Sequence, residues 1–166
     1  MGIFGGPTDP NRITIEEERI VGESSSTLIP KAAGRGGELL EGIERALTLF
    51  VPDIEIESKK RIDVKNPAQR HDSRDGLLRD AIFAHAKYPI NGRVVFSVQD
   101  YGKDLIFSVM AVGSQFDDIG RFEKEVVRAY FGLVNEASAA AVELFAKEIK
   151  QDFAKIKMGK GLIDIV

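Results

Sequence analysis

The chain has no cysteine, no tryptophan and only two histidines, and no apolar run nears the roughly 18 residues needed to cross a bilayer. Without cysteine there can be no disulfide or thiolate metal site, and a cytoplasmic setting is expected. His71 and His85 are too few for a conventional histidine-rich metal centre, so neither a metal nor a cofactor is expected. Neither sign of charge dominates. With 23 Lys and Arg against 26 Asp and Glu, the net charge of −3 favours neither nucleic acid nor an anionic membrane as a bulk partner. The opening MGIFGGPTDPN lacks the basic and apolar regions of a signal peptide, and Gly6 stands where a myristoylation motif requires Ser or Thr.

What is present is an ordinary globular composition. At 166 residues, 43% apolar and 30% charged, the chain is long enough for one domain with a proper core. The most regular stretch runs from Asp117 to Lys157. It has no proline, and Ile119, Phe122, Val126, Tyr130, Leu133, Ala137, Ala141, Leu144 or Phe145, Ile149, Phe153 and Ile156 recur every three or four positions. That spacing predicts one long helix over 117–157, continuous through Gly132, with a break before Ser138 as the alternative. Such a helix would be about 60 Å long, against a diameter of about 40 Å for a compact domain of this size. Its second half would then project beyond the globule.

The rest of the chain is less regular. Residues 1–35 read as a flexible or partly ordered arm. Within it Arg12 to Val21 is ambiguous, since Ile13 and Ile15 alternate like a strand while Thr14 and Glu17 form a capping box that favours a short helix, and a Ser/Gly-rich link runs from Gly22 to Gly37. A helix is expected over 37–50, ended by Pro52. Alternation from Ile54 to Val64 predicts a strand over 53–65, with Lys60 on its apolar side marking a bulge. A second helix is expected over 73–87, carrying Leu77, Leu78, Ala81, Ile82 and His85 inward. A hairpin of strands 93–99 and 104–113 follows. The fold class expected is therefore α+β: a small, mostly antiparallel sheet of about three strands packed by these helices, forming one domain over 36–158, with an apolar tail at 159–166.

No motif carries catalysis, and no catalytic residue is assigned. Lys31-Ala-Ala-Gly34-Arg35-Gly36-Gly37 leads into a helix and could cradle an anion, but it lacks the Gly-Lys-Ser/Thr ending of a P-loop. His71-Asp72 is similar to the metal-binding pair of HD-type phosphohydrolases, yet that chemistry needs an upstream histidine and none precedes His71. Lys59, Lys60, Arg61, Lys65, Arg70 and Arg74 make a basic region over 59–74 without an aromatic among them, which gives nucleic acid little to stack on. Asp117-Asp118 and Ser24-Ser25-Ser26 read as a helix start and a linker.

The function expected from these features is non-enzymatic. The chain reads as an oligomerising subunit, adaptor or chaperone-like component of a larger complex. Its partner surface would comprise Ala137, Ala141, Leu144, Phe145, Ile149, Phe153 and Ile156 of the helix, with Leu162, Ile163, Ile165 and Val166 of the tail. The alternatives are nucleotide or phosphate binding, or an enzyme, at the glycine link 34–37, and nucleic-acid binding through 59–74.

Overall fold

The structure, a computed structural model, describes residues 10–65, 78–86, 93–113 and 121–162. Among them are six strands and two α-helices. The strands are β1 (Arg12–Glu16), β2 (Ile20–Ile29), β3 (Ile54–Lys65), β4 (Arg79–Ala86), β5 (Arg93–Tyr101) and β6 (Asp104–Val112). The helices are α1 (Gly36–Phe50) and α2 (Arg121–Glu148). The strands form one mixed sheet in the order β1-β3-β4-β5-β6-β2, with β1 parallel to β3 and every other pair antiparallel.

This corrects the small three-stranded sheet with several helices: the sheet is a six-stranded, curled half-barrel. The curl follows from connectivity. In a flat sheet β1 and β2 would lie five strand spacings apart, about 24 Å. Only a 3-10 turn, Glu17–Arg19, joins them, and the four Cα steps from Glu16 to Ile20 reach at most about 14 Å. The two edges must therefore approach one another.

Curling gives the sheet two unlike faces. On one lie α1 and α2, covering Ile82, Ala84, Val94, Phe96, Val98, Leu105, Phe107 and Val109. The Phe96 and Phe107 rings stack there with centroids 6.3 Å apart. On the other face the chain covers itself: Ile15 from β1, with Ile13 and Ile20 beside it, closes over Ile62, Ala81, Phe83, Val95 and Met110. Among the described residues no helix contributes to this smaller core.

The segment expected as helix 73–87 is strand β4 over its described part. Its run Ala81-Ile82-Phe83-Ala84 is buried on both faces, and such a strand loses the alternation that would distinguish it from a helix. Phe83 is the residue the helical reading leaves outside, and it belongs to the second core. The same segment's Leu77 lies outside the described residues. The expected short helix near Thr14 is instead strand β1, and the Ser-rich link beginning at Gly22 supplies edge strand β2.

The long helix is also shorter than 117–157. It passes unbroken through Gly132, and Ser138 donates its hydroxyl to the Val134 carbonyl (2.9 Å) rather than capping a new helix. It ends at Glu148, where Lys150 takes a left-handed φ of 59° and Gln151 N–H returns to the Ala146 carbonyl at 2.8 Å. Ile149, Phe153 and Ile156 prolong the apolar stripe because they pack on the same core after the helix has stopped. The described part of α2, about 42 Å long, matches the diameter of about 40 Å of a compact domain of this size. Because it does not carry the tail away, the tail returns. Gly159 N–H donates to Thr27 Oγ1 (2.8 Å), Gly161 N–H to Ser25 Oγ (2.8 Å) and Leu162 N–H to Asn135 Oδ1 (2.9 Å).

Two predictions follow from buried polar groups. Asp63, 1% exposed, accepts from Thr14 Oγ1 at 2.9 Å and faces Arg12 at 3.7 Å, tying β1 to β3. Asp63→Ala should destabilise the protein by about 2–4 kcal/mol in urea titration and speed amide exchange in β1, because it removes the acceptor of Thr14 and the carboxylate that faces Arg12. Burial pushes the Tyr130 phenol up to about 12, and its hydroxyl has no hydrogen-bond partner among the described residues. The unfolded chain releases this proton near pH 10 and the folded chain holds it, so stability should fall by up to about 2–3 kcal/mol as pH rises from about 10 to 12. Tyr130→Phe should remove that alkaline loss and be at least as stable at pH 7, as measured by denaturation at both pH values.

Candidate ligand-binding cleft

The glycine link seats α1. Lys31 N–H donates to Asp104 Oδ1 (3.0 Å), Ala33 N–H to the Lys103 carbonyl (3.1 Å), Gly34 N–H to Asp100 Oδ1 (2.9 Å) and Arg35 N–H to the Ala32 carbonyl (3.1 Å). The first three clamp the link to the β5–β6 hairpin, and the chain's own carboxylates take up amides that an external anion would otherwise use. Gly36 lies so close to β5 that a Cβ there would come within 2.6 Å of Val98 Cγ2. Arg35 opens the helix without a side-chain cap. Its guanidinium pairs with Glu38 and lies 6.0 Å above the Phe145 ring, joining the start of α1 to the end of α2. Its hydrogen bonds donated to the Glu38 carboxylate raise its pKa.

The second element of the site is a bulge in β3. Glu57 pairs with Phe83 and Lys60 with Ala81, so β3 spends one residue more than β4 between those pairs. The extra residue reverses the phase of the strand. Ile54 and Ile56 pack on the helix-side core, whereas Ile62 and Val64 belong to the second core. A single alternating pattern in the sequence is thus divided between opposite faces. Lys59 sits at the bulge with φ 56°, in the left-handed region.

Between the bulge and the flank of α1 lies a cleft of about 570 Å³. Leu40 and Ile82 give it apolar surface, Glu41 and Glu44 line the helix side, and Ser58, Lys59 and Arg61 line the strand side. A second hollow of about 350 Å³ at the start of α1 shares Gly37, Arg61 and Asp80 with it and reaches Gln99 and Asp100. Ser58 donates to Glu44 Oε2 at 2.8 Å, and Arg61 Nε lies 4.0 Å from Asp80. Lys60, in register with Ala81, also borders the cleft, and its Nζ donates to Asn11 Oδ1 at 3.4 Å. Lys59 and Glu41 are exposed, and neither has a hydrogen bond or ion pair among the described residues.

The structure therefore brings together two features that stand apart in the sequence, the glycine link and the start of the basic region. Of the basic region Lys59, Lys60 and Arg61 all line the cleft; residues 66–77, with Arg70, His71, Asp72 and Arg74, lie outside the described residues. His85 is in β4, its Nδ1 4.0 Å from Glu55, and no group of three or more potential metal ligands occurs among the described residues. Sequence reasoning missed Glu41, Glu44 and Asp80 as cleft residues. Their only signal was position, an acidic flank of a helix whose neighbour could not be known.

The residues expected to meet a partner are placed differently. Ala137, Ala141, Phe145, Ile156 and Leu162 are buried in this domain's own core, and Ile149 and Phe153 pack partly buried against it. Leu144 is 54% exposed, and Ile163, Ile165 and Val166 lie outside the described residues. No described helix is long and apolar enough to cross a membrane.

Phe145→Asp should accordingly unfold the domain, costing about 3–5 kcal/mol or more, whereas Leu144→Asp should change stability by less than about 0.5 kcal/mol. Chemical denaturation of the two variants side by side measures the difference. Compared with known proteins, the chain matches no family model, no curated protein and no solved structure.

Proposed function

We propose that the protein is a small-molecule-binding domain that holds a charged ligand in the cleft between α1 and β3 without acting on it chemically. The observation that carries this reading is Lys59. It occupies a left-handed backbone position, exposed on the cleft, with no described partner for its ammonium group. An L-residue in that conformation costs about 1 kcal/mol relative to glycine, so glycine would suit the bulge better. A lysine there gives up backbone stability and supplies a charge to the cleft. Three other non-glycine residues share the conformation, Lys31, Asp53 and Lys150, but none of them lines the cleft. The size supports the same reading, since cavities of about 300–1,000 Å³ suit small ligands. So does the pairing of an apolar surface with a few charged groups.

Lys59→Gly tests both halves of the argument. It should stabilise the fold by about 1 kcal/mol and abolish the response to an anion with an apolar body, phenylpropionate being a suitable probe. Titration followed by amide NMR should show, in the natural chain, shifts confined to the residues around Gly37, Lys59, Arg61 and Asp80. A natural chain whose cleft amides stay still, or a Lys59→Gly variant that binds as well, would refute the assignment.

A further inference from the structure

We infer that the ligand of this cleft is a small zwitterion with an apolar body, of the class of a free-ended apolar di- or tripeptide; the inference rests on the binding role proposed for the cleft. The charges are segregated by wall. Glu41 and Glu44 stand on α1, while Lys59, Lys60 and Arg61 stand on β3, with Leu40 and Ile82 apolar between them. Glu44 is already engaged by Ser58, and Arg61 lies loosely against Asp80 at 4.0 Å. Lys60 is held by Asn11, which leaves Glu41 and Lys59, one of each sign, as the cleft's charged groups with no hydrogen bond or ion pair among the described residues. A purely anionic ligand would satisfy Lys59 and be opposed by Glu41 and Asp80. A purely cationic one would meet the reverse. Only a ligand with an ammonium and a carboxylate satisfies both walls, and like-charge contact weakens the binding of the other two classes, simple anions such as phenylpropionate included. The apolar surface and the cleft of about 570 Å³ call for a body larger than a single small amino acid.

Calorimetric titration of the full chain with leucyl-leucine, its N-acetylated form and its C-terminal amide separates the outcomes. The free-ended peptide should bind about tenfold or more tightly than either capped form, since each cap removes one charge-assisted contact. Glu41→Gln should erase its advantage over the acetylated peptide and leave that over the amide. Lys59→Gln should do the converse. These crossed losses are not what a merely structural effect would give. Equal binding of free-ended and acetylated peptides would overturn the zwitterion while leaving an anion-binding cleft. Failure of all three peptides and of phenylpropionate to bind would overturn both.

Discussion

The short link from Glu16 to Ile20 is the constraint on which the rest of the structure depends. Three residues carry the chain from one edge of the sheet to the other, and no flat sheet allows that. The sheet curls, its inner face closes over Ile15 and Met110, and among the described residues that face is buried by strands alone. Both helices are then free to cover the opposite face. Strong curvature needs places where strands bend, and register shifts occur in β2 between Val21 and Ser25 and in β3 between Glu57 and Lys60.

The second of these shifts links the fold to the proposed role. Ahead of the bulge, β3 turns Ile54 and Ile56 towards the helices; beyond it, Ile62 and Val64 turn to the inner core. Where the strand changes face it offers α1 no apolar residue to pack against. The gap is the cleft, with Lys59 and Arg61 on one side and Glu41 on the other. Gly36 fixes the opposite boundary by letting α1 rest on Val98.

Some of this was legible in the sequence. The periodic face of α1, the hairpin around Gly102 and the position of a bulge near Lys60 follow from local pattern, and these elements carry their own signals. The six-stranded sheet was not. β4 is buried on both sides and so lacks alternation, and β2 is a serine-rich edge whose identity as a strand comes from pairing with β6. The end of α2 was hidden because Lys150, not glycine, takes the left-handed turn, while Ile149, Phe153 and Ile156 keep helical spacing outside the helix. The cleft was half legible: the glycine link and the basic run drew notice separately, and only β3 lying beside α1 joins them.

The most direct test of the account is a methyl NOE spectrum with isoleucine, leucine, valine and methionine labelling, since it reads the two sides of the bulge at once. Curling with a bulge at Lys59 predicts that Ile15 and Ile62 share neighbours with Val95 and Met110, while Ile54 and Ile56 show contacts only to the helix-side core. If Ile56 and Ile62 instead shared one set of neighbours, and Ile15 showed no contact to Val95 or Met110, β3 would be a regular strand and the sheet open. The cleft would then have no structural basis.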